Sequence, residues 1–320
     1  MLKIRTTIFL SAAILFGFAV QAQTSLRSDW NEISKKEDSL KGFSRTIVNG
    51  RDAAERFRAD SNFTRILVRA LKENNSFYYP FDSLQTISRL YAPDSSFRIF
   101  TWQVVRDENM NRRHGAIQMR TSDGSLKLFA LLDKTFQIQN INDTVTGPQA
   151  WVGAIYYRIV QKEFNGKKYY TLLGYDEHSI RSTKKRIEVL SFDANKQPVF
   201  GGIFSFEEDT VRNNSPRKKS QSRFEIEFKK DASARMQYDD DLGIIIYEHL
   251  IPENNEPEKK YTYIPDGDYE GFEWKNGKWV HIEKVFHFKL KDGEAPVANP
   301  VTEDKLNIKP TEPVPKKKKG

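Results

Sequence analysis

The chain has 320 residues, a net charge of +8, a hydrophobic fraction of 38% and no cysteine. The absence of cysteine excludes disulfides, thiolate metal sites, a cysteine nucleophile and a lipid-modified cysteine. Part of the positive charge lies near the start of the chain and in its lysine-rich end, so residues 23–292 are only mildly basic. Nucleic-acid binding is therefore not expected.

Residues 1–22 have the composition of a signal peptide. Lys3 and Arg5 precede an apolar run from Ile8 to Val20, and Val20-Gln21-Ala22 offers small or aliphatic residues where signal peptidase cuts. The run of about 13 residues is shorter than the roughly 20 that cross a bilayer. We therefore expect a cleaved signal peptide and no transmembrane segment afterwards, with an uncleaved anchor as the alternative. The predicted location is the periplasm, the outer membrane or the outside of the cell.

Residues 23–93 are predicted to form a helical N-terminal region that packs on a β domain. Apolar residues recur at helical spacing over residues 28–49 and again over residues 52–73. Asp82-Ser83-Leu84-Gln85 matches a capping box and predicts a short third helix, which Pro93 would prevent from continuing.

From residue 94 the apolar pattern changes to period two, and residues 94–292 are predicted to form an antiparallel β domain. Asn165-Gly166 predicts a two-residue hairpin turn with Ile159 opposite Leu172. Apolar residues occur on both faces of this hairpin, which indicates a central position covered on two sides. Asp123-Gly124 predicts a second hairpin, with Ile117 opposite Ala130.

Helices followed by strands, without βαβ alternation, predict a mainly β (α+β) fold. We expect an antiparallel β-sandwich or open barrel of about a dozen strands with an N-terminal helical cap. A propeller is the alternative, but no repeat of blade length is visible. Residues 293–320, rich in proline, glutamate and lysine, are predicted to be a disordered tail.

Four long blocks of sequence carry a resemblance to known proteins. They are residues 77–103, 169–179, 184–200 and 264–279. Together these blocks resemble a family of uncharacterised secreted proteins from Bacteroidota. The resemblance implies export and a bacterial phylum, and it assigns neither an activity nor a site residue.

The common catalytic motifs are missing from the sequence. GxSxG, HExxH, GxGxxG and the phosphate-binding loop do not occur, so no metal and no cofactor is predicted. His249 ends an apolar strand and His178 lies in a polar turn. Each would serve as a general base only if the fold brings a carboxylate and a nucleophile to it. The simpler interpretation is a hydrogen-bonded histidine at a sheet edge for His249 and a polar hairpin turn for His178.

The C-terminal hairpin carries the one set of residues that predicts a binding site. Pro265-Asp266-Gly267 and Asn276-Gly277 are interpreted as turns. The second turn places Trp274 opposite Trp279, Phe272 opposite His281 and Glu270 opposite Glu283 on one face. The candidate ligand-binding residues are therefore Trp274, Trp279, Phe272, His281, Glu270 and Glu283.

We expect this face to be an exposed aromatic platform, because the opposite face carries Val280, Ile282, Phe286 and Phe288 as the natural core side. Such a platform could stack on a sugar ring or a peptide side chain while the two glutamates accept hydrogen bonds. The alternative is that the tryptophan pair only stabilises the hairpin beneath the helical cap.

These observations favour a secreted, non-catalytic binding or structural protein of the bacterial envelope. An envelope glycan or a partner protein is the expected ligand. The alternative is a periplasmic or surface hydrolase whose site is assembled from distant residues, since such sites are defined by geometry and not by spacing.

Overall fold

The computed structural model describes residues 30–107, 110–206 and 220–286. The predicted signal peptide and the predicted tail lie outside the described residues. Across the three described stretches, no helix is both long and apolar enough to cross a membrane.

Two α-helices begin the described chain, α1 over residues 30–49 and α2 from Ala53–Leu71. The side chain of Asp52 caps α2 by accepting the backbone N–H of Glu55 at 2.8 Å. Both helices bury an apolar face, as their sequence periodicity predicts. The buried side chains include Ile33, Leu40, Ile47, Phe63 and Leu67.

The third predicted helix is wrong, because the chain forms turns and then an edge strand, Ser88–Tyr91, in its place. The backbone N–H of Ser83, which a capping box would use locally, donates instead to Glu37 of α1 at 2.8 Å. Phe81 just before it has a φ of 56°, a value that no helix accommodates. A tertiary contact therefore overrides the local capping signal.

Fifteen strands occur within the described residues. In chain order they are β1 (Ser88–Tyr91), β2 (Phe97–Asp107), β3 (Met110–Met119), β4 (Lys127–Leu132), β5 (Ile155–Phe164), β6 (Lys167–Asp176), β7 (Ser182–Phe192), β8 (Pro198–Phe200), β9 (Phe204–Ser205), β10 (Ser220–Gln221), β11 (Arg223–Lys229), β12 (Met236–Asp239), β13 (Ile244–Pro252), β14 (Tyr263–Lys275) and β15 (Lys278–Ile282). Short 3-10 helices lie at Ser76–Tyr78, Thr135–Gln137, Pro148–Ala150 and Lys260–Thr262.

The strands form three sheets, which we call the first, central and outer sheets. The first has the order β1-β2-β3-β4, the central β11-β7-β6-β5 with β8 also on β7, and the outer β10-β9-β15-β14-β13-β12. Among the described strands, only β15 and β9 pair in parallel. The mainly β fold, built as an open antiparallel sandwich with helices at its N-terminal end, is thus confirmed.

The central sheet is covered on both faces, as the sequence predicts for its hairpin. Ile159 pairs with Leu172, and the turn residues Asn165 and Gly166 have φ values of 50° and 70°. Leu172 packs in the core shared with the first sheet, whereas its neighbour Leu173 packs in the core shared with the outer sheet. The two helices pack on the other side of the first sheet.

The hairpin predicted at Asp123-Gly124 forms, but its register is wrong by one residue. Ile117 lies opposite Phe129 and not opposite Ala130. The strands end at Met119 and resume at Lys127, so a longer loop replaces the two-residue turn. The Asp123 side chain organises this loop by accepting both the N–H and the hydroxyl of Ser125.

Buried charges join the strands of the central sheet. Arg223 on β11 donates to Glu188 on β7 at 2.7 Å, and both side chains are fully buried. Arg186 on β7 is paired with Glu225 on β11. These pairs fix β11 against β7 and orient Glu225 at the edge of the site described next.

Candidate functional site

The register predicted for the C-terminal hairpin is confirmed where the two strands pair. Trp274 lies opposite Trp279 and Phe272 opposite His281 across the turn at Asn276. The paired register ends at Gly271 opposite Ile282, one step before the two glutamates. The six candidate residues therefore share one face only as far as the pairing extends.

The predicted exposure of this face is wrong, because its aromatic residues lie in the core. Trp279 and Phe272 are completely buried between the outer and central sheets. The indole Nε1–H of Trp279 donates to the hydroxyl of Thr171 on β6 at 2.9 Å. Trp274 is partly buried against Tyr169, with ring centroids 5.4 Å apart. A ligand cannot stack on rings that are already covered.

The opposite face, predicted to be the core side, is the more exposed one. Val280 and Ile282 are half-buried, Phe286 keeps 38% of its surface exposed, and Phe288 lies outside the described residues. Tryptophan and phenylalanine carry more apolar area than valine, so burying the aromatic face releases more free energy. The cover comes from the central sheet and not from the N-terminal helices.

Two polar members of the predicted set, Glu270 and His281, have a different environment from the aromatic ones. Glu270 retains 1% of its side-chain surface and His281 retains 3%. Glu283 is exposed beyond the end of β15. Glu270 lines a cavity of about 320 Å³, which we call the inter-sheet cleft.

The inter-sheet cleft lies between β11 of the central sheet and strands β13 and β14 of the outer sheet. The 3-10 helix before β14 forms its third side. The polar residues that line it include Glu225, Tyr247, His249, Lys260, Tyr263 and Glu270. The cleft is thus assembled from segments far apart in the sequence.

A row of hydrogen-bonding side chains runs along the outer-sheet wall. The hydroxyl of Tyr247 donates to Glu270 Oε2 at 2.7 Å, and His281 Nε2 lies 2.8 Å from the same oxygen. His249 Nε2 lies 3.6 Å from Glu270 Oε1 on the cleft side. The Nδ1 atom of His249 is 2.7 Å from Asp266 Oδ2. A buried carboxylate therefore stands between two imidazoles, one of which a second carboxylate orients.

Asp266 is the residue of this row that the sequence-based interpretation missed. The segment Pro265-Asp266-Gly267, predicted to be a turn between two strands, lies inside the single strand β14. The pairing with β13 is irregular between Glu248 and Leu250. This β-bulge brings Asp266 next to His249. Gly267 has a φ of 92°, and a glycine inside a strand pattern was the available signal for a bulge.

The central-sheet wall contributes a second carboxylate. Glu225 is paired with Arg186 and accepts from Lys184 Nζ at 2.9 Å. Burial alone would raise the pKa of Glu225, but the charges of Arg186 and Lys184 outweigh it and hold the pKa below its ordinary value. Glu225 therefore stays ionised at neutral pH.

Two further polar groups at the cleft complete its hydrogen-bonding surface. Lys260 Nζ donates to the hydroxyl of Tyr263 at 2.7 Å. The Oδ1 atom of Asn142 is buried at the cleft and finds no hydrogen-bond partner within the described residues. A buried acceptor without a partner is costly, so it marks a position where a ligand donor would be stabilising. Neither residue is among the candidates predicted from the sequence.

Within residues 30–107, 110–206 and 220–286, no group of three or more histidine, aspartate or glutamate side chains is arranged to hold an ion. Comparison of the chain with protein-family models, with curated proteins and with solved structures found no match.

Proposed function

We propose that this chain is an exported, non-catalytic binding protein of the bacterial envelope and that the inter-sheet cleft holds a saccharide from an envelope glycan. The proposed site differs from the aromatic platform that the sequence predicts on the C-terminal hairpin. It uses Glu270 of that hairpin, which His281 contacts from behind, together with residues of β11, β13 and the segment before β14.

The observation that carries the proposal is the row of buried polar side chains along one wall of the cleft. Burying a carboxylate such as Glu270 costs free energy unless it is paired, and here two histidines and Tyr247 supply the partners. A protein selected for stability alone does better with apolar residues at such positions. A ligand that donates hydrogen bonds to this wall gives the row a function.

A saccharide fits the remaining features of the cleft. Sugar rings present hydroxyl donors at their edges and C–H groups on their faces, and they are bound by carboxylates and aromatic rings together. The carboxylates of Glu225 and Glu270 and the ring of Tyr263 line the cleft. Its volume of about 320 Å³ is at the small end of ligand pockets and suits a short glycan segment.

Isothermal titration calorimetry with the disaccharide N-acetylglucosaminyl-N-acetylmuramic acid and with a panel of other envelope sugars tests the proposal. We expect at least one saccharide to bind the full chain. Glu270→Gln keeps the size of the side chain and one acceptor oxygen, but it removes the charge and replaces the other acceptor with an N–H donor. We expect it to weaken binding about tenfold, the effect of losing a charge-assisted hydrogen bond.

Glu163→Gln is the matched control, because Glu163 is an exposed glutamate near the turn end of β5. It should leave the affinity unchanged. Equal affinities for Glu270→Gln and Glu163→Gln would show that saccharides bind elsewhere, and no binding across the panel would contradict the proposed ligand class.

One observation favours the second candidate function, a hydrolase with an assembled site. Asp266 orients His249 at the cleft wall, as a carboxylate orients a general base. No serine, threonine or cysteine lines the cleft among the described residues, so the nucleophile would be water or one of the cleft carboxylates. Slow cleavage of a bound glycan by the full chain, abolished by His249→Gln, would favour this candidate over binding alone.

A further inference from the structure

Asn142 is the residue of the inter-sheet cleft whose hydrogen bonding the fold leaves incomplete. It lies in the segment between the 3-10 helices Thr135–Gln137 and Pro148–Ala150 and lines the cleft. Its Oδ1 atom is buried and accepts no hydrogen bond from any group in the described part of the chain. A buried acceptor without a donor is destabilising, so this atom does not help to hold the fold together.

The backbone around Asn142 is held firmly by contrast with its side chain. The Asn142 carbonyl accepts the N–H of Ser222 at 2.6 Å and the N–H of Arg223 at 3.0 Å. The fully buried guanidinium of Arg223 also donates to the carbonyl of Ile141 at 2.7 Å and to the carbonyl of Thr144. The segment is therefore fixed on both sides of Asn142, and its acceptor is preorganised at the cleft.

Aromatic rings line the cleft next to this acceptor. Because the Asn142 carbonyl is bonded to Ser222 and Arg223, Asn142 lies beside the start of β11. Phe224, the second residue of β11, is 7% exposed and lines the cleft. Phe206 lines it as well, and the two phenylalanine ring centroids are 6.3 Å apart. A ligand group at this position therefore meets a hydrogen-bond acceptor together with apolar surface.

We infer that the saccharide of the proposed function carries an acetamido group and that Asn142 selects for it. This inference rests on the proposed function and names its ligand class, the N-acetylated amino sugars. An acetamido group offers one N–H donor for Asn142 Oδ1 and a methyl group that packs against Phe206 and Phe224. A hydroxyl on the same carbon also donates, but it brings no apolar surface to the two rings.

The rigidity of the amide makes Asn142 a specificity-determining residue. An amide is planar, so a methyl group placed against the rings also fixes the direction of the N–H. That N–H is left without a partner if the acceptor is removed. A hydroxyl rotates about its C–O bond and finds another acceptor. Loss of the Asn142 acceptor therefore weakens an acetylated sugar more than a sugar with a hydroxyl at the same carbon.

Calorimetry of the full chain with two matched disaccharides tests this inference. Diacetylchitobiose and cellobiose share one glucose skeleton and one linkage, and they differ only in an acetamido group or a hydroxyl next to the anomeric carbon. We expect diacetylchitobiose to bind about tenfold more tightly, because it adds apolar contact to the hydrogen bond. Equal affinities, or tighter binding of cellobiose, would overturn the inference and leave the proposed function standing. Absence of binding by every saccharide would overturn both.

Substitutions at Asn142 test its role in selecting the acetamido group. Asn142→Ala should weaken diacetylchitobiose binding about tenfold and change cellobiose binding little, so that the preference disappears. Asn142→Asp keeps an acceptor oxygen at the same position and should keep the preference. A preference that survives unchanged in Asn142→Ala would overturn the inference.

Two further variants and a stability measurement separate this role from a general one. Glu270→Gln should weaken both disaccharides by the same factor and leave the preference intact. Asn195→Ala, at an exposed asparagine in the turn between β7 and β8, is the matched control and should change neither affinity.

The unfolding midpoint of Asn142→Ala without ligand should equal or exceed that of the unmodified chain, because the buried Oδ1 atom has no partner to lose within the described residues. A lower midpoint together with equal loss of both disaccharides would show that Asn142 supports the fold, and would overturn the inference.

Discussion

The outer and central sheets enclose two regions that differ in chemistry although β14 runs through both. At one end, which we call the packed end, Phe272 and Trp279 are completely buried in one apolar core with Leu173. At the other end Glu270, on the same strand as Phe272, faces the inter-sheet cleft with His249. Residues two positions apart on one strand thus face an apolar core and a polar cleft.

The difference shows which side chains fill the space between two sheets and which leave a cavity there. Aromatic side chains interdigitate at close-packed density, so the packed end gains both apolar burial and dispersion contacts. Charged side chains must keep their partners, and Glu225 and Glu270 each find theirs within their own sheet, at the walls of the cleft. If this account is correct, substitutions at the packed end change stability and substitutions at the cleft change binding.

The largest expected effect is at the packed end. Trp279→Ala removes a completely buried indole and its hydrogen bond to Thr171, and should lower the free energy of unfolding by about 3–5 kcal/mol. Urea unfolding followed by circular dichroism measures this. Trp274→Ala is the control on the same hairpin and should cost clearly less, because Trp274 is only partly buried. Equal losses would mean that the two rings do not differ in burial.

The second prediction concerns Glu225 at the cleft wall, whose contribution to the free energy of unfolding should depend on pH. Glu225→Gln removes the carboxylate charge that pairs with Arg186 and Lys184 and should cost about 3 kcal/mol at pH 7. The lowered pKa of Glu225 means that its contribution is complete above its ordinary value of about 4.5 and is lost as the pH falls through the folded value. The difference between Glu225→Gln and the unmodified chain should therefore shrink in acid.

Unfolding curves of both proteins from pH 7 to pH 3 test this dependence. Glu163→Gln is the control and should give only a small difference, since Glu163 is exposed. A Glu225→Gln difference that stays constant down to pH 3 would contradict an ionised, paired Glu225.

A smaller effect is expected for the hydrogen bond between Tyr247 and Glu270. Tyr247→Phe removes the hydroxyl that donates to Glu270 Oε2 at 2.7 Å and should cost about 1–2 kcal/mol. Tyr238→Phe, which loses a hydroxyl bonded to Lys162 at the sheet edge, should cost less because Tyr238 is more exposed. Thermal unfolding measures the loss of stability in the two variants. A larger loss for Tyr238→Phe than for Tyr247→Phe would contradict a buried polar wall at the cleft.

The sequence was sufficient for local structure wherever a turn determined the pairing. Asn165-Gly166 and Asn276-Gly277 predict their hairpins in the correct register, because positive φ at both residues allows one two-residue turn. Asp123-Gly124 misleads by one residue, because an Asx turn lengthens the loop. The capping box at Asp82 misleads because Glu37, distant in sequence, takes the N–H of Ser83.

The candidate site depended on information that local pattern does not contain. The order of the sheets determines which face of the C-terminal hairpin is buried. Strands β14 and β15 pack on the central sheet, whereas the helices pack on the first sheet. Glu270 and His281 were predicted as ligand-binding candidates, but as part of an exposed platform. Asp266 reaches His249 through a bulge, and Asn142 lines the cleft from a segment far away in the sequence. Periodicity reveals neither contact.

The most direct test of the central claim is an NMR titration of the isotope-labelled chain with the saccharide that calorimetry identifies. The indole N–H of Trp279 reports on the packed end, where it is held by Thr171 at 2.9 Å. The amides of His249, Tyr263 and Glu270 report on the cleft. The account predicts shift changes at these three amides and none at the Trp279 indole. Changes at the Trp279 indole with none at the cleft amides would contradict it.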